Sequence, residues 1–482
     1  MNMLTLLILA SCWSSSPEST KKTKKTNKPA ATVSAETTAE PDKPNPVNLV
    51  LISLDTVSAE HLSTYGGPAE VPNIERIAKN GVQYANAFSH FPETSVSHWT
   101  MMTGALPAVH GDVPAHGTSR HTGPTLAERM RDAGYQTAAF IGGETLTDRS
   151  TGLSKGFAKY DDQHPWNRED LKRPGKDVAQ AAIQWIGEQK KANKPYFAFA
   201  HFFDAHFPYT PSPPWDTKYD PNYTGTLTGS DTDLMPYRDG KKTPSPEDLA
   251  HIRALYHGEL SELDATIAPL LDVANDGNTL IVITSDHGES FGHDYWFNHR
   301  DALWDEVTNI PLIISGAQVP PNKRVGALAG LVDVTPTILD ILGLDPLEEV
   351  HGTTLQSLWT TAVYMPPIFS MTDPNRPNPQ MSMRTLSHKL IVQTKDGKIQ
   401  NKGSLQYALR TDPQELDPTA ELPKDYPDFA ERYQALIDPV IKRWQGPKPA
   451  PKTADQAVTP EEHERLKALG YVDGPAAVPT PK

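Results

Sequence analysis

Residues 279–289 read TLIVITSDHGE. An uncharged run rich in Ile, Val and Thr leads straight into Ser285-Asp286-His287-Gly288-Glu289. A nearly continuous apolar run of this length marks a strand covered on both faces, as in a parallel sheet between helices. Three other stretches have the same character: Val47 to Leu54 (VNLVLISL), Gln136 to Ile141 (QTAAFI) and Tyr196 to Phe203 (YFAFAHFF). Helical patterns fall between them. Pro72 to Lys79 is stopped by Asn80-Gly81, and Thr125 to Ala133 by Gly134. Val178 to Lys190 sets Val178, Ala182, Trp185 and Ile186 on one face. Strands alternating with helices predict an α/β fold with a large, mostly parallel sheet sandwiched by helices.

Beyond this body the pattern changes. A helix is expected around Thr335 to Leu342, closing a domain over 47–360. Short strands at Ile368 to Met371, Lys389 to Gln393 and Gln406 to Leu409 then predict a small antiparallel subdomain over 361–445, ending in a helix over Asp428 to Trp444. Residues 446–482 form a Pro-rich tail, where Thr459-Pro460-Glu461-Glu462 has the spacing of a capping box and predicts one short helix.

The N-terminus has its own logic. Met1 to Ala10 reads MNMLTLLILA, too short to span a bilayer and suited to a signal peptide. It runs into Leu9-Ala10-Ser11-Cys12, which resembles a bacterial lipobox, with Cys12 as the acylated residue. The expectation is an exported protein held to a bacterial membrane by lipid, periplasmic or at the cell surface. Residues 13–46 are Ser, Thr, Lys, Pro and Ala, too polar to fold, and read as a flexible linker. Cys12 is the only cysteine, so an intrachain disulfide, a cysteine zinc site and a cysteine nucleophile in the folded body are excluded. The net charge of −14, from 45 basic and 59 acidic residues, argues against nucleic acid as a partner. A small anionic ester needs only a local positive pocket.

Ligand sites in open α/β sheets lie at the carboxyl ends of the strands. There the chain places Asp55-Thr56, Asp204-Ala205-His206 and Ser285-Asp286-His287-Gly288-Glu289. Any one of these groups could cap a helix or fill a turn, but three strands delivering carboxylates and imidazoles to one edge suggest a metal or acid/base site. Asp286 and His287 with Asp55 make a mixed oxygen and nitrogen set. It suits one divalent ion, manganese or zinc better than an all-oxygen calcium cage, with calcium as the remaining option. A nucleophile candidate lies in residues 92–104, PETSVSHWTMMTG, which look helical from Ser97 to Gly104. Thr94 at the helix start would face orphan amides and the positive end of the dipole. Thr94 or Ser95 would equally serve as a plain helix cap, and the residues alone leave both readings open.

Taken in order from Asn45 to Leu358, these motifs resemble the sulfatase family of the alkaline phosphatase superfamily. VNLVLISLDT and VPNIERIAKNGVQYANAFS are similar to its first metal strand and following helix. TSVSHWTMMTGALPAVHG resembles its signature, a Cys or Ser, any residue, Pro-Ser-Arg, three residues, Leu-Thr-Gly, then a Pro and a His-Gly. FAHFFDAHFPYTPSPP resembles a histidine-bearing substrate loop, and TLIVITSDHGESFGH with LWDEVTNIPLIISG the second metal motif and its sequel. The resemblance implies an alkaline-phosphatase-like fold and a metal-dependent hydrolase of sulfuric or phosphoric esters, small or glycan-borne.

Alignment on Met102-Thr103-Gly104 puts Thr94 where the family has the Cys or Ser that becomes formylglycine. Val96 stands for the motif's Pro, His98 for its Arg, and Thr56 for the second Asp of the usual pair. A threonine cannot become formylglycine, so the aldehyde hydrate is absent. The set Asp55, Thr94, Asp286 and His287 instead resembles phosphoryl-transferring cousins that use a threonine alkoxide on one metal. The resemblance implies that His206 and His299 hold the ester's oxygens, with His98, His110 and His116 as weaker candidates. Two rival expectations remain: a phosphodiesterase, phosphonate hydrolase or phosphotransferase on the same fold, and a non-catalytic, glycan-binding surface lipoprotein.

Overall fold

The computed structural model describes residues 47–111, 121, 123–166, 172–361, 365–395 and 398–419. Cys12, the linker, His116, the helices expected over Asp428 to Trp444 and after Thr459, and the tail lie outside the described residues.

The strands in chain order are β1 (Asn48–Leu54), β2 (Gly81–Phe88), β3 (Gln136–Phe140), β4 (Lys159–Asp161), β5 (Tyr196–Phe202), β6 (Thr279–Thr284), β7 (Ser290–Gly292), β8 (Tyr295–Asn298), β9 (Asn309–Ile310), β10 (Leu312–Gly316) and β11 (Lys323–Gly330). β7 and β8 form a hairpin of their own. The rest make one sheet in the order β11-β2-β10-β6-β1-β5-β3-β4, with β9 beside β2. Pairing is parallel from β6 through β1, β5 and β3 to β4, and between β11 and β2. β10 is antiparallel to both β6 and β2, so the sheet is mixed and mostly parallel.

The four continuous apolar runs are the four consecutive central strands β6, β1, β5 and β3, and burial on both faces explains their composition. Along β1, Val50, Ile52 and Leu54 enter one core while Leu49 and Leu51 enter the other. The first core is covered by helix α1 (Pro72–Lys79) and by the helices Gly175–Lys191 and Pro246–Ala274. The second is covered by helix α2 (Thr94–Thr103) and by Leu126–Asp132 and Val334–Ile341.

A second sheet of four antiparallel strands follows: β12 (Ile368–Met371), β13 (Gln380–Arg384), β14 (Lys389–Lys395) and β15 (Lys398–Tyr407). β13 was not expected from the sequence. The strand read at Gln406 to Leu409 is the end of the longer β15 and stops at Tyr407. Tyr407 and Ile391 pack with Tyr295, Leu303 and Trp304, which joins this sheet to the segment after β8.

Candidate active site

β1 and β6 are parallel neighbours, so the residues leaving their carboxyl ends meet. Asp55 leaves β1 and Asp286-His287 leave β6, and all three are buried. One ligand atom from each lies within 4.8 Å of the others. Thr56 has a φ of 56°, a left-handed conformation costly for a β-branched residue. That turn brings its amide to Asp286 Oδ1 at 3.3 Å.

The donor atoms fit a cation. Asp55 Oδ1, Asp286 Oδ2 and His287 Nε2 are buried and make no hydrogen bond. Orphaned buried polar atoms are rare because each costs desolvation, and three on one spot indicate a missing positive partner. His287 Nδ1–H donates to the carbonyl of Gly288 at 3.0 Å, which leaves Nε2 with its lone pair, the tautomer a metal needs. Burial, and next the charge of Asp286, raises the Asp55 carboxyl well above its ordinary range. Burial acts the same way on Asp286, but His287, His98 and His201 outweigh it and hold that carboxyl below its ordinary value.

Helix α2 begins at Thr94, one turn earlier than expected, with Glu93 in the cap position. No side chain caps this end, so neither Thr94 nor Ser95 is the cap. Thr94 is the first helical residue, and its hydroxyl lies 3.4 Å from Asp55 Oδ2. Its backbone is held from the preceding residue, where Glu93 pairs with Arg300 at 3.0 Å, both buried.

The histidines divide. His206 Nδ1–H donates to the carbonyl of Phe207 at 2.8 Å, and the ring stacks on Phe203. His299 Nδ1–H donates to Glu289 at 3.0 Å. The His206 and His299 rings stand 5.5 Å apart, and His299 lies 4.3 Å from the ring of His287, so three imidazoles line one wall of the site. Burial, followed by a neighbouring histidine in each case, holds His206 and His299 well below their ordinary pKa and hence neutral. His98 bonds Ser53 at 2.8 Å and the Thr94 carbonyl at 2.7 Å, with Asp286 Oδ2 at 3.8 Å, so it fixes the floor beneath Thr94. His110 meets the hydroxyl of Thr100 at 3.0 Å, six residues along α2 from Thr94, and braces the helix. Asp204 is not among the three converging residues. Its carboxylate accepts from the amide of Gly175 at 3.0 Å, at the start of another helix.

Three participants were missed by sequence reasoning. His201, inside β5, approaches Asp55 Oδ2 at 3.1 Å through Nε2. Its signal was present, because it is the one polar residue within YFAFAHFF. Glu289, quoted without a role, orients His299. Arg238 is buried against the Phe207 ring, and its charge reaches His299 and Glu289. Nothing local in the sequence marked it.

The family model described as Sulfatase matches residues 47–344. A choline-sulfatase from Rhizobium meliloti is 24% identical over 445 residues, covering 80% of this chain and 84% of its own. A solved structure described as a complex with the substrate D-glucosamine-2-N,6-O-disulfate superposes with a TM-score of 0.66 at 20% identity, covering 85% of this chain and 100% of its own. The phosphonate monoester hydrolase of Agrobacterium radiobacter superposes with a TM-score of 0.64 at 21% identity, covering 82% and 96%.

Proposed function

The chain belongs to the sulfatase family, whose members are ester hydrolases, and from that premise we propose that Thr94 is a metal-activated nucleophile acting on a sulfuric or phosphoric ester. One observation carries the reading. The Thr94 hydroxyl lies 3.4 Å from Asp55, one of the three residues whose orphaned atoms converge on the cation position. Asp55, Asp286 and His287 would hold one divalent ion, and the mixed donor set favours manganese or zinc. Such an ion acidifies a hydroxyl and takes up charge on the transferring group.

Thr94 Oγ1 attacks sulfur or phosphorus in line as the bond to the alcohol oxygen breaks. The amides of the first turn of α2 and the positive end of its dipole face the developing charge. His206 and His299 are neutral, with Nδ1–H engaged and Nε2 basic. Thr94 passes its proton to Asp55 Oδ2, 3.4 Å away, while the histidine beside the leaving alcohol, on the opposite face, relays a proton to it from water. The equatorial charge falls to the amides of the first α2 turn and to the ion that Asp55, Asp286 and His287 would hold. The other histidine joins them only with a proton on Nε2, and His98, with both ring nitrogens engaged, acts by holding the Thr94 backbone. Water then hydrolyses the Thr94 ester.

Sulfate is supported by the choline-sulfatase and by the structure described with a glucosamine disulfate, which a glycan-borne sulfate would fit, whereas the phosphonate monoester hydrolase supports a phosphorus ester. Thr94 favours a second reading, a phosphorus ester. A formylglycine sulfate leaves through a hemiacetal, whereas a threonine ester needs direct hydrolysis. A turnover panel of aryl sulfate, phosphate monoester, phosphodiester and phosphonate, with defined metals, separates these readings. Activity of Thr94→Ala near wild type on the preferred ester, with Ser95→Ala or Ser97→Ala inactive, overturns the assignment of Thr94. We further propose that Cys12 carries a lipid anchor to a bacterial membrane. The mature N-terminus, read by mass spectrometry, should be acylated Cys12, and a soluble protein starting elsewhere refutes it.

A further inference from the structure

A second cluster lies on the far side of the turn that carries Asp286 and His287. Glu60 and His61 follow β1, and Glu306 precedes β9. One ligand atom from each lies within 4.8 Å of the others. His61 is 7% exposed, and its Nε2 makes no hydrogen bond. Glu60 Oε1 stands 3.8 Å from that nitrogen, beyond hydrogen-bond reach.

The other nitrogen decides the chemistry. His61 Nδ1 is 3.0 Å from His257 Nε2, and one proton lies between them. If His257 donates it, His61 Nε2–H becomes a buried donor with no acceptor, which costs on the order of 1–3 kcal/mol. If His61 donates it, Nε2 presents a lone pair towards the two carboxylates. That is the tautomer of a metal-ligating histidine, oriented by a partner on its second nitrogen. Burial, followed by the charges of His257 and Arg253, keeps the His61 imidazole neutral, the form that binds cations.

The carboxylates have only a loose counterion. Glu306 accepts from Ser290 Oγ at 3.2 Å, but its nearest cation, Arg253, stands 3.8 Å away and donates to the carbonyl of Phe291 at 2.8 Å. Burial, and after it the charge of Glu60, pushes the Glu306 carboxyl up to about 8. A tetrahedral ion needs its ligand atoms about 3–3.5 Å apart, given bonds of about 2.0–2.2 Å. The Glu60 side chain is 49% exposed and free to swing the remaining distance.

We propose that Glu60, His61 and Glu306 form a second divalent-cation site, for zinc or manganese, distinct from Asp55, Asp286 and His287. Two carboxylates and one imidazole suit these ions. The ion would clamp the segment after β1 to the segment before β9. That clamp backs the catalytic turn. Ser58 Oγ donates to the Glu306 carbonyl and accepts from the amide of Glu289 at 3.3 Å, while the amide of Gly288 donates to the carbonyl of Val307 at 2.7 Å.

Metal stoichiometry on the full chain, by elemental analysis after equilibration with zinc or manganese, tests the site independently of activity. Wild type should hold two ions. Asp286→Asn should hold one, His61→Ala one, and the double variant none. Glu60→Gln, on a half-exposed side chain that does not support the core, should weaken the second ion tenfold or more. The proposal is overturned if wild type holds a single ion that Asp286→Asn removes, or if His61→Ala and Glu60→Gln both retain two. Loss of an ion in His61→Ala with none lost in Asp286→Asn would support this site while refuting the catalytic one.

Discussion

Two buried clusters of charge sit in this chain and behave oppositely. At the edge of the large sheet, Asp55 and Asp286 aim oxygens at a point where no side chain supplies a cation. Beside the small sheet, Glu415 is almost as deeply set and Asp305 is partly buried, yet Lys389 lies 2.7 Å from Asp305 and 3.0 Å from Glu415, and Arg384 lies 3.0 Å from Asp305. Burying a charge is tolerated only with a partner. Where the chain provides its own partner, the cluster is architecture. Where it does not, the cluster is built to receive something.

The largest contrast should appear on substitution at the two places. Thr94→Ala should lower turnover on the order of 10⁴-fold, because a nucleophile acts only in the transition state. It should cost no more than about 1 kcal/mol of stability in denaturant unfolding, since one hydroxyl is lost. Lys389→Met should do the reverse. Removing one partner from a buried ion cluster costs about 3–5 kcal/mol, and turnover per folded molecule should stay at the wild-type level. Equal effects of both changes on both measurements would erase the distinction.

A smaller, pH-dependent difference should separate the clusters in chelator. The Asp55 carboxyl is raised by burial and by Asp286, so in metal-free protein it favours folding while protonated. That contribution is complete below the ordinary carboxyl value of 3.8 and is lost as pH rises through the raised native value. Unfolding free energies of wild type and Asp55→Asn in chelator should therefore diverge as pH increases above about 4, with wild type the loser. Saturating manganese or zinc should restore wild type alone. Parallel pH curves in chelator would contradict the burial argument. The smallest effect belongs to the exposed Leu386, where Leu386→Ser should shift stability by no more than about 0.5 kcal/mol.

The central sheet was legible because β6, β1, β5 and β3 are buried on both faces and their composition says so directly. The 29-residue helix Pro246–Ala274 was not read, although it is the longest described element. Its buried positions include His251, His257, Glu259 and Asp264, so no apolar stripe stands out. Asp55, Thr94, Asp286 and His287 were singled out from local motifs and the fold brings them together, with α2 starting earlier than expected. His201 showed as a histidine in an apolar strand, but its role, like that of Arg238, is long-range and was not readable locally. His201 meets Asp55 across 146 positions, and Arg238 acts through space on His299 from a different element.

The same separation has a consequence for how the site comes into being. The amide of Thr56 reaches Asp286 across 230 positions, and His299 lies further still. Loop closure over such spans is entropically unfavourable until the intervening strands have paired. Asp286 and His287 are neighbours after β6, but Asp55 joins them only once β1 has paired with β6. Ion uptake should therefore report completed folding, and release during unfolding should coincide with loss of the sheet. On the proposed metal site, ion loading and the last step of the chain's own assembly would be a single cooperative event.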